Sequence, residues 1–193
     1  MKSKQRWYKR HQLFNRSVPE ALLPWLFDAS SLTSRMIVLC GDGFSVRLLS
    51  QHWQKISSQD ASAMGLTKEH SALVRQVVLC CSDQPLVYAR TVIPASTVQG
   101  AQRRYANLGN RPLGAMLFAD RTMRREFVQV ALLPDDDEAR KNALIKGIAD
   151  DESVWGRRSV FRVAGKPLLV SEYFLPEFTR LQQATKAVAM PAS

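Results

Sequence analysis

Two stretches of this 193-residue chain are pairs of β-rich runs joined by a few turn residues, and they leave few folds open. In the first, "ALVRQVVLCC" and "LVYARTVIP" are joined by "SDQP"; in the second, "WGRRSVFRVAG" and "PLLVSEYFLP" turn at Gly165-Lys166. Runs rich in Val, Leu, Ile, Tyr and Phe, broken by short polar links, predict antiparallel hairpins. Nothing in the chain alternates strand and helix as a βαβ unit would. Helical signals come early and strands come in adjacent pairs, so the pattern predicts an α+β fold with an antiparallel sheet.

The flanking segments add helices to that sheet. "SVPEALLPWLF" places Ala21, Leu22, Trp25 and Leu26 at helical spacing, and "DASSLTSRM" supplies cap residues for a second short helix. Gly41-Asp42-Gly43 lies between apolar runs and predicts a hairpin near residues 36–56. Residues 57–69 are polar and unpatterned, as in a loop or flap. After Pro94, "STVQGAQRRYANLG" predicts a helix capped by Ser96 or Thr97 and ended by Gly109. "PLGAMLF" reads as a short turn or helical segment and "MRREFVQVALL" as a strand. Residues 134–153 begin with acids, continue with Lys and Arg, and carry a small apolar stripe at Ala143, Leu144 and Ile148. That order suits a solvent-facing inserted helix. One domain over 19–178 accounts for all of this, with a basic tail at 1–18 and a frayed tail at 179–193.

The 46% hydrophobic and 23% charged fractions are those of a globular domain long enough to bury a core and a ligand cavity. No run approaches the roughly 20 apolar residues of a bilayer span. The basic N-terminus has no apolar stretch behind it, so it is not a secretory signal. Cys40, Cys80 and Cys81 are odd in number and two are adjacent, which reads as buried thiols in a reducing cytoplasm. The net charge of +10 admits nucleic acid, membrane surfaces and anionic small molecules as partners. No helix-turn-helix, zinc-finger spacing or aromatic RNA motif supports the first, and nothing in the residues requires peripheral membrane contact. No exposed apolar helix seam stands out, so a monomer is expected.

Alternation along the strands singles out four charges. Arg75 shares a row with Leu73, Val77 and Leu79, and Arg90 with Leu86, Tyr88 and Val92. Arg157 lies in line with Phe161 and Val163, and Glu172 with Leu168, Val170 and Phe174. A buried ion costs several kcal/mol unless it is paired or bound to something. Each charge alone is accounted for by an Arg–Glu bridge or by a side chain snorkelling to water at a sheet edge. Together they favour a cavity that holds an anion, because guanidinium grips a carboxylate with two parallel hydrogen bonds. A glutamate beside it would serve as acid or base, or accept a hydrogen bond from a ligand hydroxyl. Other chemistries lack their residues. His11, His52 and His70 have no metal-ligand spacing, and no GxSxG, Walker or Rossmann pattern is present, so neither metal nor cofactor is expected.

The same stretches resemble a known family. "VRQVVLCCSDQPLVYARTVIPAST", "LGNRPLGAMLF", "RREFVQV" and "WGRRSVFRVAGKPLLVSEYFLP" are similar, in order, to the chorismate pyruvate-lyases of bacterial ubiquinone biosynthesis. The resemblance spans about residues 72–176, with a looser match over 20–36. It implies cleavage of chorismate to 4-hydroxybenzoate and pyruvate without metal or cofactor. It also implies a single antiparallel sheet of about six strands with helices packed on it and product held in an internal cavity beneath flap-like segments. The family's ligand-binding arginine falls on Arg75, its leucine on Leu113 and its glutamate on Glu172. Its remaining contact, a methionine, falls on Leu32, where a backbone amide would serve equally. Arg90 or Arg157, from charge and parity alone, would take the enolpyruvyl carboxylate. The insert at 134–153 and the basic N-terminus exceed the family pattern. A sensor domain that binds an aromatic carboxylate without turning it over is the alternative function of this fold.

Overall fold

A computed structural model describes residues 5–13, 18–67, 71–133 and 153–189 of the protein. These residues form one antiparallel sheet of six strands, β1 (Phe44–Lys55), β2 (Ser71–Cys81), β3 (Gln84–Pro94), β4 (Arg124–Leu132), β5 (Trp155–Val163) and β6 (Lys166–Phe174). The spatial order is β1-β2-β3-β6-β5-β4, so the two predicted hairpins, β2–β3 and β5–β6, meet at the centre of the sheet. Both turns are two residues long and left-handed: Ser82 and Asp83 have φ of 47° and 66°, Ala164 and Gly165 of 48° and 78°. Such turns follow the twist of the strands they join. The first falls within the predicted "SDQP" link, and the second centres one residue earlier than Gly165-Lys166.

Helices α1 (Leu23–Leu26), α2 (Leu32–Cys40), α3 (Ser58–Ala63), α4 (Leu113–Ala119) and α5 (Pro176–Ala189) complete the fold, with a 3₁₀ turn at Gly100–Ala106. On one face of the sheet Leu22, Trp25, Leu26 and Met36 pack onto Val77, Val87, Trp155 and Phe174. On the other, Ile56, Ala61 and Met64 cover Val74, Val92, Val160 and Leu169.

Several local expectations need correction. The predicted hairpin at 36–56 is a helix followed by a strand. Ser31 caps α2 by accepting from the Ser34 amide, and only one face of the "MIVLC" run is buried, with Met36 inside while Ile37 and Val38 face solvent. The loop expected at 57–69 contains α3, and neither Ser96 nor Thr97 caps a helix; Thr97 Oγ1 instead donates to the Pro167 carbonyl at 2.7 Å. The tail expected from residue 179 is mostly α5. It docks through Phe178, edge-on to Trp25 at 4.9 Å, and through the Trp25 indole N–H, which donates to Gln182 at 2.9 Å. Part of the basic N-terminal tail is also joined to the sheet, because Tyr8 exchanges two 2.8 Å backbone hydrogen bonds with Val130 on β4. Cys40 and Cys81 form a disulfide, and only Cys80 is a buried thiol. The insert expected at 134–153 falls, but for its last residue, outside the described residues.

Candidate active site

The cavity lies between the sheet and the N-terminal ends of α2 and α4. Including its mouth it encloses about 570 Å³. Its floor is a set of cross-strand neighbours. Arg75 on β2 faces Thr91 on β3, which faces Val170 on β6, which faces Ser159 on β5. Two residues along β6 from Val170, Glu172 pairs across to Ala89 and to Arg157. Leu32 and Leu113 each lead a helix into the cavity wall. First-turn amides have no helical carbonyl to bond, and in α2 that of Ser34 is taken by the Ser31 hydroxyl. Gly114 lets the two helices close over the site: a Cβ there would stand 2.6 Å from Thr33 Oγ1.

Arg75 is 2% exposed, and its Nη2 donates to the carbonyls of Gly109 and Arg111 at 2.9 and 3.0 Å. Its Nε is buried without a partner, and no carboxylate pairs with it among the described residues. Burial lowers its pKa to about 10. Burying a guanidinium without a counter-charge is costly, and a bound anion would offset that cost.

Glu172 and Arg157 meet differently. Arg157 Nε donates to Glu172 Oε2 at 2.5 Å, and its Nη1 donates to the carbonyls of Trp25 and Asp28 at 2.7 and 3.0 Å. Arg157 therefore holds the glutamate against the segment leading into α2. Glu172 still lines the cavity with Oε1 unbonded among the described residues.

Of the six residues read from the sequence, five line one cavity: Leu32, Arg75, Leu113, Arg157 and Glu172. Arg90 does not. It pairs across to Gln76 and Ser171 on the opposite face of the sheet, where it forms a 3.0 Å ion pair with Asp60 of α3. Its apolar row is real, but it faces α3 rather than the cavity.

Arg125 was missed. Alternation along β4 groups it with Phe127 and Gln129, but a bulge between Arg125 and Phe127 turns it to the cavity face opposite Phe161. An unpaired charge at the start of a strand was the available signal. The bulge that gives it meaning was not legible.

This arrangement, a buried cation and a braced carboxylate sharing a helix-roofed cavity on an antiparallel sheet, suits a small anionic ring with a hydroxyl. Known proteins point the same way. The sequence model of the chorismate lyase family matches residues 1–183, and the chain belongs to that family. A protein of Methylococcus capsulatus named "Probable chorismate pyruvate-lyase" is 44% identical over 152 residues, 79% of this chain and 93% of that one. Namesakes from Psychromonas ingrahamii and Pseudomonas aeruginosa are 40% and 35% identical, covering 81% and 91% of this chain and 83% and 94% of theirs. Among solved structures, the C-terminal domain of the histidine utilization repressor from Pseudomonas syringae superposes with a TM-score of 0.53 at 11% identity, over 69% of this chain and 92% of that one. A GntR-family transcriptional regulator from Bacillus cereus gives 0.51 at 11% identity, over 70% and 93%. At that identity the likeness is one of fold.

Proposed function

We propose that this protein is the chorismate lyase of its cell, cleaving chorismate to 4-hydroxybenzoate and pyruvate as the first committed step towards ubiquinone. Membership of the family sets the reaction class, and the observation that carries the assignment to this cavity is the buried guanidinium of Arg75, which has no carboxylate of its own. The ring carboxylate binds Arg75, with the amides of Leu32 and Leu113 as further donors. Glu172, braced by Arg157, accepts a hydrogen bond from the ring hydroxyl and is placed to move a proton at that end of the ring.

The ether bond from the ring to the enolpyruvyl oxygen breaks, with its electrons passing to that oxygen. The proton on the hydroxyl-bearing ring carbon leaves, and the enolpyruvate takes one up to become pyruvate. Atoms balance without water or oxidant, and the ring becomes aromatic. Chemistry so far downhill asks the protein mainly to orient and desolvate a dianion.

Leu32, where the family has a methionine, acts through its backbone in this reading, so the change of side chain matters little. We place the enzyme in the cytoplasm as a monomer acting on a free small molecule; no helix among the described residues is long and apolar enough to cross a membrane. The test is purified protein with chorismate in buffer containing EDTA, with 4-hydroxybenzoate followed by chromatography against a no-enzyme control. Product above background is expected. Tight 4-hydroxybenzoate binding with no product would make the protein a sensor, the role that its fold neighbours among transcription regulators suggest.

A further inference from the structure

We infer that Arg125 is the anchor for the second carboxylate of the substrate, the one on the enolpyruvyl arm, and so the residue that tells substrate from product. The inference rests on the lyase reading of the cavity. Three guanidiniums and one carboxylate line that cavity, Arg75, Arg125 and Arg157 with Glu172, a net charge of +2. Arg157 is already neutralised, because Glu172 sits on its Nε and backbone carbonyls take its Nη1. Two cations remain without a carboxylate partner among the described residues. They are Arg75 and Arg125.

Arg125 is held but not satisfied. Its Nε and Nη2 both donate to Ser159 Oγ, at 2.9 and 2.7 Å, and its Nη1 donates to the Asp28 carbonyl at 3.0 Å. A guanidinium has five N–H groups, so two remain for a ligand. Burial and the neighbouring charge of Arg157 lower its pKa to about 10, against the opposing pull of the Glu172 and Asp28 carboxylates, neither of which bonds it among the described residues. Its planar group is thus fixed, partly desolvated and without a carboxylate bonded to it among the described residues, the condition in which bidentate capture of a carboxylate is most rewarding.

Its position fits the second carboxylate and not the first. The Ser159 that the guanidinium bonds ends the cross-sheet row that Arg75 begins, three strand spacings or about 14 Å of backbone away at ~4.8 Å each. Glu172 lies between them. A ring held by its carboxylate at Arg75, with its hydroxyl at Glu172, carries the neighbouring ether arm towards Arg125. Cleavage turns the dianion into two monoanions, each keeping one arginine, so the two products no longer share a tether across the cavity.

The test compares ligands that differ by one carboxylate. Calorimetry would measure 4-hydroxybenzoate and 3-(carboxymethoxy)-4-hydroxybenzoate, an unreactive ring with the extra acid on an ether arm, against wild type, Arg125→Gln and Arg125→Lys. In the wild type the dicarboxylate should bind at least about tenfold tighter than the monocarboxylate. Arg125→Gln should abolish that advantage and raise KM for chorismate about tenfold or more, while 4-hydroxybenzoate affinity stays within about threefold. Arg125→Lys keeps the charge without the fork and should recover part of the advantage. Equal losses for both ligands, or an intact advantage in Arg125→Gln, would overturn the inference while leaving the lyase reading standing. A wild type that neither binds 4-hydroxybenzoate nor turns chorismate over would instead remove the lyase reading, and the subsite with it.

Discussion

Arg75 and Glu172 are both charges in a cavity, yet their environments assign them different work. Arg75 bonds only carbonyls among the described residues, so in the proposed reading a ligand carboxylate would supply its missing charge. Arg75→Ala is expected to weaken 4-hydroxybenzoate binding by about 2–5 kcal/mol, the scale for losing one partner of a buried charge pair. Calorimetry giving wild-type affinity would remove Arg75 from the site. Glu172 already has a cation, so its substitution asks about proton movement. Glu172→Gln keeps the shape and a hydrogen-bonding oxygen, and turnover should fall by about 10²–10⁴-fold if the carboxylate carries a proton. Turnover close to wild type would reduce it to a hydrogen-bonding role. At this scale alternation read much of the site, because β2, β5 and β6 run regularly past the cavity. It cannot tell which face of the sheet each row joins, and so Arg90, expected at the cavity, pairs with Asp60 on the other face. Nor could it see past the bulge that redirects Arg125.

The elements that roof the cavity were the least legible part of the fold. The sheet is specified by local signals, turn residues and alternation. A helix over a cavity is specified partly by what it must leave open, and the apolar run in α2 mimics a strand when its exposed face carries Ile37 and Val38. The meeting of α2 with α4 depends on an absence, the missing side chain of Gly114. Its virtual Cβ lies 2.6 Å from Thr33 Oγ1 and 3.3 Å from Ser31 Oγ, both on buried residues at the start of α2. Gly114→Ala should push the helices apart, costing about 1–3 kcal/mol of stability as overpacking does, together with part of the affinity for 4-hydroxybenzoate. Thr33→Ala removes the atom most closely approached, so the double variant should recover most of both losses. Thermal denaturation and ligand titration of the two single variants and the double would check this. If Gly114→Ala alone behaves as wild type, close approach of α2 and α4 is not what shapes the roof.

Across the whole molecule, one covalent link ties roof to floor. Cys40 ends α2, whose first residue lines the cavity, and Cys81 ends β2, the strand that carries Arg75. Their Cα atoms are 5.4 Å apart and 41 positions separate them in sequence. Spacing alone points to three thiols, because two of the cysteines are adjacent and a disulfide partner is chosen by the fold rather than by the spacing. Closing a loop of this length restricts the unfolded chain, and the bond should contribute about 2–4 kcal/mol to stability. Urea unfolding with and without a reductant measures that contribution, and Cys40→Ser should match the reduced wild type. Thiol labelling adds a count. Cys80 is buried, and burial raises its pKa, so the oxidised native protein should label at no cysteine. Reduction should expose Cys40 and Cys81, which are only partly buried, and Cys80 should react only on unfolding. Equal stability in both redox states, with two cysteines labelled before reduction, would mean that α2 is held over the cavity by packing of Leu32 and Met36 alone.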